Sequence, residues 1–539
     1  MKKLFFILFV SLLSASSYSC TNFIITKGAS ADGSTMMVYT NDGEWLYHLK
    51  MNPYEKHKIG DVIQFHIPGT NEYLEIPQPA ETYKKLGFQM NEYQVAIGET
   101  TFTGREDLWN KNLPLKYWHL MSLALDRAKT AREAIDIITT LVEKYGYGSE
   151  GESFSIIDPN EAWILEMIGT GDGKPGANWV AIKIPDGAIS AHANKARIGT
   201  FPLNDPENCL YSKSMIQFAI DKGYFNPKTG KEFVFNQTFN PLSPDRLRYC
   251  ESRVWSLFRR AAPEKDFSSD YHRGVKGAER YPLYIFPKEK LSLKDVMGLI
   301  RDHYEGTEID MTKGMAAGPF GTPQRWRPLS WEKDDKTYAW ERSISTYNTC
   351  FSFIAQSQSA LPNDVGGVCW FGFDDTYFTC YLPIYMGIDE VPESYDKGDI
   401  HHYDPTSMWW AMNFVSNYAN LKYSYMIEDI QAVQNELEEQ MIADQDSIKQ
   451  VYQARENAGK TLVLQNYVDS KAELIINKWN KLGYKLIAKY NDGYIKPDSG
   501  GMLSPGYPEE WKDKIIEQNP DKHLIPDWNK EGRQKNNPF

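Results

Sequence analysis

Cysteine, histidine and long apolar runs are all scarce in this 539-residue sequence, and each shortage removes a class of protein. The six cysteines, at 20, 209, 250, 350, 369 and 380, form no CxxC pair and no Cys/His ligand spacing, which argues against a structural zinc site. With Cys20 set aside five remain, an odd number, so a fully paired disulfide framework cannot include them all; they read as small buried apolar residues. The apolar stretch from Leu4 to Leu13 is about half of the roughly 20 residues a spanning helix needs, and no later stretch is long enough, so no integral membrane segment is expected. Lys and Arg number 59 against 71 Asp and Glu and are dispersed along the chain, a balance that repels nucleic acid and anionic membranes. No repeat or low-complexity segment stands out.

The first informative stretch is the start. Lys2 and Lys3 precede the apolar run, and small polar residues, Tyr18 apart, lead up to Cys20. This reads as a secretory signal peptide over residues 1–19, with Ser17 and Ser19 at the two small positions of a cut before Cys20. Loss of Lys2 and Lys3 would take the formal net charge from −12 to −14. A lipoprotein signal also ends at a cysteine, which is then acylated, but Ser17 and Tyr18 fit that pattern poorly. The expected product is exported, periplasmic or extracellular, and begins with an unmodified Cys20.

Such a residue carries a thiol and a free amine together. An α-amine has a pKa of about 7.7–8.0 and is partly unprotonated near neutral pH. It can take the proton of its own thiol, directly or through one water, and so activate a nucleophile for attack on an amide carbonyl without a histidine. With ten histidines and no evident Cys/His pairing, a Cys–His enzyme is the weaker reading.

Turn residues divide the first half into short β-branched and aromatic runs: Phe23 to Thr26, Thr35 to Tyr39, Tyr93 to Ile97, Ser153 to Ile157, Ala162 to Met167, Trp179 to Ile184 and Ala188 to His192. A tight turn at Ala31–Ser34 joins the first two and would bring Asp42 back beside the start, although from spacing alone Asn41-Asp42-Gly43 reads better as just a turn. Thr130 and Glu133 form a capping box before an apolar stripe that Gly146 ends. Ser292 and Asp295 open a second helix, expected to run to Gly306. Further strands are expected at Ser352 to Gln356, Gly367 to Gly372 and Tyr377 to Tyr385, then helix from about Ser424 to Tyr490 and a surface tail after Gly500. Strands, helices, strands and helices in that order predict an α+β domain rather than alternating βαβ units. Tryptophans such as Trp163, Trp326, Trp370, Trp409 and Trp410 are expected mainly in the core.

Seven segments together resemble the dipeptidase A family of cysteine peptidases: CTNFIITKGASADGST at the start, MNEYQVAIGETTFTGRE at 90–106, GESFSIIDPNEAWILEMIG at 151–169, ISAHANKARI at 189–198, ESRVW at 251–255, RDHYEGT at 301–307 and RWRPL at 325–329. The resemblance covers nearly the whole chain after residue 19. It implies an N-terminal-nucleophile hydrolase, related to bile salt hydrolases and penicillin V acylases, with a four-layer αββα fold over 20–420 and a helical segment and tail at 421–539 packed on the same unit.

By the same resemblance Cys20 is the nucleophile, Asp42 its neighbouring carboxylate, Asn91 and Asn194 oxyanion donors, and Arg253 an active-site arginine, with Arg246 and Arg248 close by in sequence. For the asparagines taken alone, a turn cap is the commoner role. Many relatives place an arginine about three residues before the aspartate, where this chain has Tyr39; Arg105, Arg197 and Arg253 are possible replacements. The implied activity is hydrolysis of short peptides without metal or organic cofactor. An acyl-amide hydrolase using the same machinery, and a non-enzymatic lipoprotein acylated at Cys20, are the alternatives. Homo-oligomerisation is left open.

Overall fold

The computed structural model describes residues 20–323 and 330–525. The expected leader at 1–19, Trp326 and the RWRPL segment lie outside them.

Strand β1 (Thr21–Ile25) begins directly after Cys20 and is buried throughout. Its turn into β2 (Thr35–Asp42) is held by Asp32, whose Oδ1 accepts the Ser34 backbone N–H at 3.0 Å and the Ser30 and Ser34 hydroxyls at 2.6 Å. Gly33 takes φ 74°, the left-handed region open to glycine. β2 runs three residues beyond the expected Tyr39, because the strand Thr349–Ser357 pairs with it as far as Asp42.

These strands sit in the middle of a seven-stranded sheet, in the order Tyr284–Ile285, Ile189–His192, β1, β2, Thr349–Ser357, Gly367–Phe373 and Leu382–Tyr385. A second, eight-stranded sheet has Asn178–Lys183, Ala162–Ile168, Gly151–Ile157 and Ala96–Phe102 as its long members. The two sheets face each other through β1 and β2 on one side and Ala96–Phe102 on the other. The approach is close at Gly98, where an added Cβ would lie 2.4 Å from Asn22 Oδ1 and 3.0 Å from Tyr39 Cβ. Gly98→Ala must therefore push the sheets apart. We expect a loss of about 1–3 kcal/mol, read as a lowered urea midpoint.

Helices cover the outer faces. Tyr117–Leu125 and Ala131–Tyr145 pack on the second sheet. The latter is capped by the Thr130 hydroxyl accepting from Glu133 N–H at 3.1 Å and ends at Gly146, φ 84°, as the sequence predicts. Met408–Ala419, Tyr423–Gln453 and Asn457–Tyr490 pack on the far end of the first sheet. The expected long C-terminal helix is thus two, locked to the core where Arg301 pairs with Glu438 at 2.6 Å. Among the described residues no helix is long and apolar enough to cross a membrane.

Three expectations need correction. The strand expected at Tyr93–Ile97 begins only at Ala96, because the Asn91 side chain accepts the Tyr93 and Val95 N–H groups and bends the chain into a turn with Gln94 at φ 64°. The helix from Ser292 stops at Leu299: Arg301 turns to the Thr376 carbonyl at 3.0 Å, and Asp302 takes Ser256 at 2.6 Å and Arg260 at 3.1 Å. The tail past Gly500 lies at the surface over its described residues, as expected, and includes a helix, Glu509–Gln518. Of the last expected strand only Leu382–Tyr385 pairs.

The five cysteines other than Cys20 are buried and unbridged, and Trp163, Trp370 and Trp409 are buried, as read from the sequence. One buried carboxyl marks the seam between the first sheet and its helices. Asp374 follows the strand Gly367–Phe373, at φ 64°, with Oδ1 accepting from Asn413 at 3.1 Å and Oδ2 lacking a partner. Burial raises its pKa to about 7. A carboxyl whose folded pKa lies above its unfolded value weakens the fold as pH rises between the two. Asp374→Asn removes that titration and tolerates the same backbone. Its stability relative to the parent should improve from pH 4 to pH 7, by at most about 1.4 kcal/mol per unit, in urea titrations at both pH values.

Candidate active site

Cys20 stands at the mouth of β1 and is 1% exposed. Its carbonyl oxygen accepts Nη1 of Arg253 at 2.7 Å, and the same nitrogen donates to Thr21 Oγ1 at 3.0 Å. Arg253 belongs to the helix Pro244–Ala261, which packs on the strand Ile189–His192 beside β1. Its Nη2 donates to Asn194 Oδ1 at 2.9 Å. Asn194 follows that strand at φ 57°, a left-handed conformation asparagine tolerates, and its Nδ2 donates to the Thr101 carbonyl at 2.8 Å. Arg253 thus ties the nucleophile candidate, the neighbouring strand and the second sheet together.

Asp42 ends β2, fully buried. Register places Thr349 opposite it, and the Thr349 hydroxyl donates to Oδ1 at 2.6 Å. Oδ2 pairs with Arg342. Burial pushes the Asp42 carboxyl up, while Arg342, Thr349 and Arg253 pull it back. Burial also works against the Arg342 guanidinium, but the Asp42 carboxylate outweighs it and holds that pKa above the usual value. Arg342, which the sequence reading did not name, is the arginine that pairs with Asp42, while of the three possible replacements Arg253 is the one on the Cys20 carbonyl. Arg105 instead donates to the Thr238 carbonyl at 2.6 Å, Arg197 to the carbonyls of Ala191 and Pro282, each at 2.7 Å, and Arg248 to Glu341 at 3.1 Å.

Cys20, Asp42, Asn194 and Arg253 are therefore brought together. Asn91 is not among them. Its Nδ2 donates to the carbonyls of Leu125 and Ala128, both at 2.8 Å, and an amide nitrogen has two hydrogens to give. Nothing is left for an oxyanion; Asn91 staples a turn to the end of a helix.

The sequence reading missed the groups that touch the thiol. Cys20 Sγ donates to Glu99 Oε1 at 3.4 Å and lies 3.8 Å from the Tyr39 hydroxyl, which itself donates to Glu99. Asn41 Nδ2 donates to that hydroxyl at 2.6 Å. Burial, then the charges of Glu99 and Asp42, push the thiol well up, against hydrogen bonds from the Asp42 backbone and Tyr39. While the Cys20 nitrogen is a peptide nitrogen, the thiol keeps its proton. The available signal was a carboxylate set inside a buried strand: Glu99 within AIGETTF and Glu152 within GESFSII, both in segments quoted for the resemblance.

Among the described residues no group of histidine, cysteine and acidic side chains could hold a metal ion.

Residues 19–436 match the model of peptidase family C69. A "Probable dipeptidase" of Salmonella dublin is 27% identical over 408 residues, covering 71% of this chain and 84% of that protein. A "Probable dipeptidase" of Latilactobacillus sakei is 28% identical over 403 residues, covering 70% and 76%. A "Probable dipeptidase B" of Lactococcus lactis subsp. lactis is 24% identical over 476 residues, covering 81% and 91%. With the match spanning the thiol, the carboxylate and the arginine that holds the Cys20 carbonyl, the chain belongs to peptidase family C69.

Proposed function

We propose that the protein is an exported cysteine dipeptidase that becomes active when removal of residues 1–19 frees the α-amine of Cys20. The observation that carries this is the convergence on Cys20: Arg253 on its carbonyl and the Asp42 backbone and Glu99 on its thiol, all at the first residue of a central strand. Two facing sheets with helices on their outer faces support reading the fold as the four-layer αββα arrangement of N-terminal-nucleophile hydrolases. Relatives named as probable dipeptidases support the substrate class.

The freed amine takes the thiol proton, and sulfur attacks the scissile carbonyl. One N–H of Asn194 is committed to Thr101; the other, with backbone N–H groups, receives the oxyanion. The ammonium returns the proton to the leaving amine, and water activated by the same amine releases the acyl-enzyme. Arg253 keeps the Cys20 backbone in register throughout.

The test is export from a bacterial host with the chain's own leader, intact mass of the product, then turnover of a dipeptide panel beside conjugated bile salts and penicillin V. An unmodified chain starting at Cys20 that turns over dipeptides is expected. A diacylglyceryl group on Cys20, or turnover confined to the acyl amides, overturns the reading.

A further inference from the structure

Behind the thiol lies a set of buried acceptors that the hydrogen-bond network leaves unused. Glu99 Oε1 receives Cys20 and Tyr39, but Glu99 Oε2, Glu152 Oε1, Asn22 Oδ1 and Asn41 Oδ1 have no donor. Glu99, Glu152 and Asn22 are completely shielded and Asn41 is 7% exposed. Strand pairing explains why they meet. Thr101 stands opposite Glu152 and Glu99 opposite Phe154, so the two carboxyls are diagonal neighbours on one face of the sheet. Asn22 reaches the same place from β1, its Nδ2 on the Glu99 carbonyl at 2.6 Å, and Asn41 reaches it through the Tyr39 hydroxyl.

Two carboxylates this close in a dry interior do not both ionise; they hold one proton between them. Burial, and then the Glu99 charge, push Glu152 well up, in keeping with its carrying that proton. The other titratable groups that face the pair do not supply a cation. Tyr39, Tyr117 and Tyr147 are pushed up by burial and stay neutral, Asp42 is matched by Arg342, and Glu150 adds a further acid. Even with the shared proton, two amide oxygens stay open. Buried polar atoms without partners are costly, and an excess of acceptors with one negative charge fits a small cation carrying several N–H donors.

Resting on the dipeptidase reading, we propose that Glu99 and Glu152, with the amide oxygens of Asn22 and Asn41, bind the free α-ammonium of the substrate's first residue. The distances permit it. A thiol poised for attack lies about 3–3.5 Å from the scissile carbon, and in a dipeptide the ammonium nitrogen is two bonds from that carbon, about 2.5 Å. An oxygen 3.4 Å from Sγ is within hydrogen-bond reach of such a nitrogen. The ammonium brings three donors for the open acceptors. On entry it displaces the shared proton to solvent; two carboxylates around one cation carry the same net charge as the protonated pair did. A neutral acyl group in that place would leave the acceptors buried and unpaired. The pair therefore selects peptides with a free amino terminus and rejects N-acylated ones.

The test compares alanyl-alanine with N-acetyl-alanyl-alanine as substrates of the exported protein. It also compares alaninamide with N-acetylalaninamide as protectants of Cys20 against iodoacetamide. We expect kcat/KM at least about 100-fold higher for the free dipeptide, protection by alaninamide at a concentration at least tenfold lower, and a Glu152→Gln variant, folded by circular dichroism, in which both preferences shrink at least tenfold. Equal hydrolysis or equal protection in the parent protein overturns the proposal whether or not the variant folds, and so do undiminished preferences in a folded variant. If neither peptide is turned over, the dipeptidase reading falls, and the protection assay still decides whether an ammonium site is present.

Discussion

Replacing Cys20 with serine lowers kcat on a dipeptide by at least about 10³-fold while leaving the urea midpoint close to that of the parent. The two halves of this expectation come from different atoms. In the proposed mechanism catalysis needs the thiol, whose proton an α-amine with a pKa of about 7.7–8.0 can accept; a serine hydroxyl gives up its proton far less readily to so weak a base. The fold needs the Cys20 backbone, because Arg253 holds the carbonyl oxygen and not the side chain. Thr21 adds its own N–H to Thr40 Oγ1 at 3.0 Å, again independent of the thiol. Serine can also keep the hydrogen bond to Glu99. Stopped assays on protein whose first residue has been verified by mass would check this. Full turnover by a correctly processed variant would mean that the nucleophile is another group.

Much of this arrangement was legible in the sequence where it is local. The Asp32–Gly33 turn, the Thr130–Glu133 cap with its stop at Gly146 and the helical stretch from about Ser424, which became Tyr423–Gln453 and Asn457–Tyr490, all depend on residues within a few positions of one another. Asp42 was placed beside the start by the turn at Ala31–Ser34 and took its role from the family resemblance, whereas Arg253 was named through the resemblance alone. What escaped depends on which strands stack or pair across hundreds of residues. Arg342 meets Asp42 from 300 positions away, and Glu99 meets Cys20 from 79. Glu99 was hidden for a further reason. The strand reading stopped at Ile97, because the turn that Asn91 makes pushed the real strand forward, and the same turn removed Asn91 from the site. The asparagine that looked catalytic by resemblance holds a turn, and the glutamate eight positions after it stands against the thiol.

Arg342→Met is expected to destabilise the fold by about 3–5 kcal/mol, the penalty for stranding one member of a buried ion pair. Arg342 is 6% exposed and Asp42 is fully buried, so water cannot replace the lost partner. Thr349 remains on Oδ1, but a single hydroxyl does not balance a charge. The pH dependence separates this cause from a simple loss of packing. Burial already raises the Asp42 pKa in the parent, and without Arg342 only Thr349 and Arg253 oppose it, so the folded pKa rises further above the unfolded value of about 3.9. The folded variant then binds a proton that the unfolded chain has released, so its stability falls as pH rises above about 4. The deficit should be small at pH 4 and complete near neutrality in paired urea titrations. Adding Asp42→Asn should recover part of it, because the stranded charge is gone, giving a coupling between the two positions that neither shows alone. Turnover should fall in Arg342→Met as well, since the Asp42 backbone hydrogen bond to the thiol depends on where β2 ends. A deficit that is the same at both pH values, with no recovery in the double variant, would assign Arg342 to packing and leave Asp42 without a charge partner in the catalytic account.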